Sequence, residues 1–166
     1  ALSYENLLKK EKKIKLTEIT CPVVIMAGGE GTRLKPFTNI LPKPLMPIKD
    51  KTVIEKILLN FKNQGFRNFI ITINYKSEIL KAYFKELKLS VNINMFQEKK
   101  PLGTVGALAN IKKLGKEFIL TNCDNLYNFE FSKMLKFHRK NQNDVTICST
   151  LKKIQIPFGV CEIIGA

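Results

Sequence analysis

The sequence has no apolar run approaching the roughly 20 residues that a membrane span requires, and its lysine-rich start lacks the hydrophobic stretch of a signal peptide. Its four cysteines, Cys21, Cys123, Cys148 and Cys161, stand far apart and have no metal-type spacing. Three of them lie beside or within apolar runs, where small buried thiols are common. The expectation is a reduced, cytoplasmic protein with no membrane contact. The single histidine, His138, sits in KFHRK on a predicted helix. No Ser-His-Asp arrangement is present, and His138 reads as structural or surface. Acids are also scarce, 14 against 28 Lys and Arg, for a net charge of +14. That balance suits an anionic partner: nucleic acid, an acidic membrane surface or a phosphorylated small molecule. There is no zinc-finger spacing, RNA-recognition aromatic signature or arginine-rich run, and scattered lysines also fit a plain solvated surface.

What is present organises by period. A chain of 166 residues, 45% hydrophobic, can bury one substantial core. Residues 1–20 are polar and weakly helical from Tyr4 to Lys13, as a linker or appended helix would be. CPVVIM is too short and too β-branched for a helix and reads as a buried strand. TVIEKILLNFKNQG reads as a helix, with Thr52 and Glu55 as a capping-box pair and Gly65 as its stop. RNFIITIN and VNINMF are predicted strands, with SEILKAYFKEL a helix between them. TVGALANIKKLG is a predicted helix ending at Gly115, and EFILTNCD a strand with a polar tip. EFSKMLKFHRKN is a predicted helix, and DVTICST and FGVCEII are predicted strands. Strands alternating with helices predict an α/β layered fold with a largely parallel sheet. Ligands bind beyond the carboxyl ends of such strands, which directs attention to the segments after Met26, Phe96 and Thr121.

The first of these is VVIMAGGEGTRLKPFTNILPKPL. A Walker-type loop needs G-x-x-x-x-G-K-[ST], and no Lys-Ser or Lys-Thr follows Gly31. A Rossmann fingerprint opens a helix with G-x-G-x-x-G, whereas Gly29-Glu30-Gly31 runs through Thr32, Arg33 and Leu34 to Pro36. What remains is a loop whose residues without Cβ let a ligand lie on the backbone. Its amides can cradle an anion, and Arg33 can grip phosphate oxygens with a planar fork. Lys43 stands between two prolines that stiffen the approach of a second cation. The plain alternative is a mobile glycine turn with Lys43 merely exposed.

The stretches AGGEGTRLKPFT, PKPLMPI, KTVIEKIL, EKKPLGTVGAL and LTNCDN together resemble the sugar-1-phosphate nucleotidylyltransferases, over residues 22 to about 163. The resemblance implies a Rossmann-like three-layer α/β/α fold with a mixed sheet. It implies an enzyme that joins an NTP to a sugar 1-phosphate with Mg²⁺, giving an NDP-sugar and pyrophosphate. It further implies nucleotide binding by Ala27, Gly28, Gly29, Gly31 and Thr32, and by Glu98, Gly103 and Thr104. Arg33 would bind the leaving pyrophosphate, Lys43 a reacting phosphate, and Asp124 the metal. Phosphoryl-type transfers need positioning and charge neutralisation more than a protein nucleophile, which agrees with the missing triad. Asp124 also reads as a turn aspartate capping the next segment. The family commonly has glycine before this aspartate, where this chain has Cys123.

Relatives that use UTP or dTTP commonly carry glutamine five residues before the first glycine of the GTVGAL motif, and here that position is Glu98. An ionised carboxylate only accepts hydrogen bonds, and guanine presents two adjacent donors, so Glu98 favours GTP. A register shifted by one residue would put Gln97 there instead. The downstream stretch is similar to guanylyltransferases of bacterial nonulosonic-acid pathways, which implies an amino-sugar substrate such as glucosamine 1-phosphate. In that group CBS regulatory modules often precede the catalytic domain, and a homo-oligomer is open. IPFGVCEIIG resembles the strand that begins the family's sugar-binding half. On that reading the domain spans 21–166 with the sugar-binding part missing, and Gly159 is the one sugar contact. The second metal ligand and the sugar-phosphate lysine would then lie farther on, and this chain alone is expected to bind nucleotide weakly without turnover. Three other readings stand beside it: a UTP-, dTTP- or CTP-using member of the same family, a nucleotide-binding regulatory pseudoenzyme, and a basic nucleic-acid-binding module.

Overall fold

Strand β1, Val23–Met26, shows why this chain folds around its first apolar run. Successive strand residues point to opposite faces, and Val23, Val24 and Ile25 are all fully buried. Both faces of the sheet are therefore covered at this strand, as a parallel sheet requires. The computed structural model describes residues 18–98, 103–112, 114–151 and 159. Most of the 1–20 segment, Cys161 and all of the FGVCEII strand except Gly159 lie outside the described residues.

The chain forms two units, residues 1–130 and 131–166. In the first unit, β1 is followed by a two-stranded antiparallel ribbon, β2 (Pro47–Ile48) with β3 (Lys51–Thr52). Helix α1, Val53–Lys62, starts where expected: the Glu55 amide donates to the Thr52 hydroxyl at 3.2 Å. The other half of the capping box is replaced, because the Glu55 carboxylate takes Lys51 at 3.1 Å and the Tyr83 hydroxyl at 3.2 Å. Val53, Ile54, Ile57, Leu58 and Phe61 line its buried face. Phe61 meets Phe66 and Phe69 edge-on, with centroids 5.3 and 6.3 Å apart. Such contacts add about 0.5–1.5 kcal/mol each beyond the area they bury. Strand β4 (Asn68–Ile73), helix α2 (Ser77–Glu86), strand β5 (Asn92–Gln97), the single helical turn α3 (Gly103–Gly106) and strand β6 (Ile119–Asn122) complete this unit.

The sheet order is β5-β4-β1-β6, and every described pairing in it is parallel. The antiparallel component expected of a mixed sheet is confined, among the described residues, to the separate β2–β3 ribbon. From β1 the chain steps outward through β4 to β5, then returns to the other side of β1 as β6. Order therefore reverses between β1 and β6, and in open α/β sheets a crevice opens beyond the strand ends at such a reversal.

Two sequence expectations fail. The helix expected through Gly115 is one α-turn followed by 3₁₀ geometry over Ala107–Asn110. Among the described residues of this segment only Ala107 is fully buried, too narrow an apolar stripe to sustain a long helix. Residues 145–150 form no strand. There Val145 and Ile147 are exposed, and no ladder partner is present among the described residues, without which a strand's backbone groups gain nothing over water. The second unit is described by helix α4, Phe131–Lys140, which buries Phe131 and Leu135. Its half-buried His138, expected to be structural or on the surface, shares a hydrogen bond of 3.0 Å with Thr146.

Candidate functional site

At the reversal point Met26 lies in register with both Thr72 and Asn122. The loops that leave β1, β5 and β6 there enclose a cavity of about 480 Å³ in the first unit, within the range of small-molecule sites. Its wall holds Gly28, Gly29, Gly31, Thr32, Arg33, Lys43, Glu98, Gly103, Cys123 and Asp124, together with Met26, Leu34, Thr72 and Asn122. The three loop segments singled out by strand order thus meet in one place.

One side of the cavity is buried. Glu98 is only 7% exposed. Its amide donates to the Ile73 carbonyl at 2.9 Å, and Asn74 Nδ2 donates to its carbonyl, also at 2.9 Å. The register of β5 is unambiguous: Gln97 faces α2, donating to the Ser77 hydroxyl at 3.3 Å and accepting from Lys81 at 2.8 Å. Glu98, the next residue, turns to the cavity. Gly28 leaves room for it, because a Cβ there would stand 2.7 Å from Glu98 Oε1 and 3.3 Å from Asn74 Cβ and would displace the carboxylate.

The other side is a charged lip. Gly31 has φ +66°, a left-handed conformation that favours glycine. A Cβ there would also meet Thr38 Cγ2 at 3.0 Å and Lys43 Cβ at 3.1 Å. The buried Thr38 hydroxyl donates to the Gly31 carbonyl at 3.1 Å. From Gly31 the chain turns through a 3₁₀ segment, Thr32–Leu34, that carries Arg33 exposed on the wall. Lys43 leaves the flanking buried prolines Pro42 and Pro44 and pairs with Asp124 at 2.5 Å. That contact spans 81 residues of sequence.

Cys123 stands between these parts. Its amide donates to the Met26 carbonyl at 3.1 Å, extending the β1–β6 ladder by one residue. It is not among the residues with positive φ, so the backbone accepts cysteine here without strain. Burial pushes the thiol up to about 11, with the Asp124 charge adding to the shift and Lys43 opposing it. The thiol is therefore neutral near pH 7 and is neither nucleophile nor ligand in that form.

Of the remaining expected residues, Ala27 is not on the described wall, and the side chain of Thr104 lies outside the described residues. Ala27 is buried and its amide donates to the Thr72 carbonyl at 3.0 Å, so it anchors the loop. Thr104 lies in α3. Gly159 belongs to the second unit. The residues that sequence reasoning missed are Thr72, Asn122, Thr38 and Asn74. Thr72 and Asn122 carried one signal, a polar residue near the end of an otherwise apolar strand. Thr38 and Asn74 act through main-chain carbonyls, which no side-chain pattern announces.

The donor set bears on a metal. Among the described residues no group of three or more His, Cys, Asp and Glu could hold one. Asp124 offers a single carboxylate, 41% exposed. Mg²⁺ is commonly held by one or two carboxylates, with substrate phosphates and water as its other ligands. The site fits a metal that arrives with phosphate, and does not fit a dedicated protein cage.

Residues 22–165 match the family model described as Nucleotidyl transferase. D-glycero-alpha-D-manno-heptose 1-phosphate guanylyltransferase of Campylobacter jejuni is 38% identical over 132 residues, covering 79% of this chain and 57% of the relative. Mannose-1-phosphate guanylyltransferase catalytic subunit beta of Danio rerio is 34% identical over 143 residues, covering 82% of this chain and 40% of that one. The chain thus spans about half the length of the curated relatives it matches. Among solved structures, HddC from Yersinia pseudotuberculosis complexed with GMP-PN matches with a TM-score of 0.62 and 30% identity, over 71% of this chain and 54% of that one. UDP-glucose pyrophosphorylase complexed with UDP-glucose shares the fold at 21% identity, with a TM-score of 0.60 over 75% of this chain and 55% of that one. Among the described residues no helix is long and apolar enough to cross a membrane.

Proposed function

This chain belongs to the nucleotidyl transferase family, and from that premise we propose that it carries the nucleotide-binding part of a GTP-using sugar-1-phosphate guanylyltransferase. A phosphate oxygen of the sugar 1-phosphate attacks the α-phosphorus of GTP, the bond from that phosphorus to the bridging α–β oxygen breaks, and pyrophosphate leaves. The products are a GDP-sugar and pyrophosphate. The observation that carries this reading is the pairing, in one cavity at the sheet's reversal point, of a buried Glu98 with a lip of Arg33, Lys43 and Asp124. Glu98 accepts from guanine N1–H and the 2-amino group, both of which are donors. Gly28 and Gly29 let the nucleotide lie against the backbone. Arg33 holds the departing pyrophosphate through its guanidinium fork, and Lys43 neutralises the phosphate under attack.

Lys43 and Asp124 are paired to each other, so nucleotide binding exchanges that ion pair for phosphate on the lysine. Asp124 is then the residue that would hold Mg²⁺, which supplies charge neutralisation on the phosphates. In-line transfer needs no protein nucleophile, which fits a cavity in which Cys123, the one thiol among the described lining residues, is kept neutral by burial. The relatives named for heptose and mannose 1-phosphates support a sugar of that size, and the resemblance to nonulosonic-acid guanylyltransferases adds glucosamine 1-phosphate as a candidate.

The test is mass spectrometry of products after incubating the full-length protein with Mg²⁺, each of GTP, UTP, dTTP and CTP, and those three sugar 1-phosphates. A GDP-sugar together with pyrophosphate is expected. An NDP-sugar formed only from another NTP overturns the guanine reading. Nucleotide binding with no product from any pair overturns the enzyme reading in favour of a regulatory protein.

A further inference from the structure

The turn that ends β4, residues 74–76, lines none of the cavity, yet every side chain in it donates to a main-chain carbonyl of a loop that does line it or braces one that does. Asn74 donates to the Glu98 carbonyl at 2.9 Å. The Tyr75 amide donates to the Gly28 carbonyl at 3.4 Å, and its hydroxyl to the Thr38 carbonyl at 3.1 Å. Lys76 Nζ donates to the Asn39 carbonyl at 3.0 Å. Lys76 has φ +51°, a left-handed conformation that costs a non-glycine residue stability.

We propose that Asn74 and Tyr75 are positioning residues that tie the two sides of the nucleotide site together, Asn74 fixing the base-reading segment and Tyr75 the phosphate-gripping loop. The two side chains donate to different loops, Asn74 to the Glu98 carbonyl and Tyr75 to the Thr38 carbonyl. Asn74 holds Glu98 from its main chain and packs beside Gly28, so it sets where the carboxylate faces a base. Tyr75 acts through Thr38, whose hydroxyl holds the Gly31 carbonyl, and Gly31 packs against Lys43 and leads into Arg33. The defects should therefore differ in kind. Losing the Asn74 donor loosens base discrimination, and losing the Tyr75 hydroxyl loosens the grip on phosphate whatever the base. This inference rests on the guanine-reading role of Glu98, and the controls below fail separately from it.

The experiment is calorimetric titration of the chain with GTP, UTP and inorganic pyrophosphate in Mg²⁺, for the wild type and for Glu98→Gln, Asn74→Ala, Asn74→Asp and Tyr75→Phe. Folding is checked by thermal melting. Glu98→Gln should lower the preference for GTP over UTP. Asn74→Ala should lower the same ratio by about tenfold, as loss of one buried donor allows, and leave pyrophosphate affinity within about twofold. Asn74→Asp keeps the shape but replaces the donor by a charged acceptor facing the Glu98 carbonyl, so it should lower the ratio at least as far as Asn74→Ala, and it decides the matter if the alanine variant is unfolded. Tyr75→Phe should weaken GTP, UTP and pyrophosphate together by about three- to tenfold, with the GTP/UTP ratio unchanged. A wild type or Glu98→Gln protein with no difference in the ratio overturns the base-reading role itself. An altered ratio in Glu98→Gln but not in either Asn74 variant overturns the role of Asn74. Unchanged pyrophosphate affinity in folded Tyr75→Phe overturns the role of Tyr75.

Discussion

The two sides of the cavity are built on opposite plans. At the buried side Glu98 is 7% exposed and held by main-chain bonds to Ile73 and Asn74. At the lip Arg33 is exposed, while Lys43 and Asp124 are 30% and 41% exposed and hold each other. Desolvated hydrogen-bond partners discriminate strongly, because a mismatched group is left unpaired. Exposed charges contribute little until a ligand excludes water around them. The buried side is thus suited to choosing a ligand and the lip to neutralising one. In guanylyl transfer those are the tasks of base selection and pyrophosphate departure.

The sharpest way to break that contrast is at the lip. Arg33→Ala in the full-length protein should lower kcat/KM by about two to four orders of magnitude, as removal of a preorganised charge at a reacting phosphate does. Lys43→Ala should do the same, and Lys43→Arg should be impaired because the two cations differ in shape. Melting temperatures should barely move, since exposed charges add little to folding. Near-normal turnover would mean that these cations stand away from the reaction.

The two glycines sharpen the comparison with a smaller effect. Gly31→Ala combines a left-handed backbone with contacts of 3.0 and 3.1 Å. It should destabilise the chain by about 1–3 kcal/mol and weaken pyrophosphate and nucleotides alike. Gly28→Ala drives a methyl at the Glu98 carboxylate, and should shift the GTP/UTP ratio more than it shifts pyrophosphate affinity. Thermal melts and titrations of both variants check this. The reverse pattern would mean the two sides are one mechanical unit.

The smallest effect is at Cys123. Its thiol is raised from an ordinary value near 9 to about 11. The unfolded chain then loses its proton first as pH rises, so the contribution is fully present below pH 9 and is lost between 9 and 11. Stability should fall over that window more steeply in the wild type than in Cys123→Ala, by denaturant titration. At pH 7.5 iodoacetamide should label exposed Cys148 well before buried Cys123. Fast labelling of Cys123 would mean that the cavity wall opens readily.

Strand and helix identity were legible where burial is local. CPVVIM, the Thr52-capped helix and the RNFIITIN strand each carry an apolar period that dictates which face is inside. The reading failed at residues 145–150 and in the helix expected to run to Gly115, because a β-rich or weakly apolar segment becomes an element only when a partner covers it.

Of the residues on the cavity wall, the glycine loop, Arg33 and Lys43 stood out in one dimension by type and by their place after a strand, whereas Glu98 and Asp124 were singled out by the family resemblance. That glycine suits Gly31 was decided by the tertiary structure, through a left-handed φ and the approach of Thr38 and Lys43. Only the tertiary structure decided which of these residues meet. Lys43 reaches Asp124 across 81 residues because β1 and β6 are neighbours at the reversal point. Glu98 rather than Gln97 faces the cavity because β5 pairs with β4 in one register, and a slip of one residue would exchange the two. The bracing by Asn74, Tyr75 and Thr38 was beyond any sequence pattern, since their partners are main-chain carbonyls, which every residue carries and only the fold brings within reach.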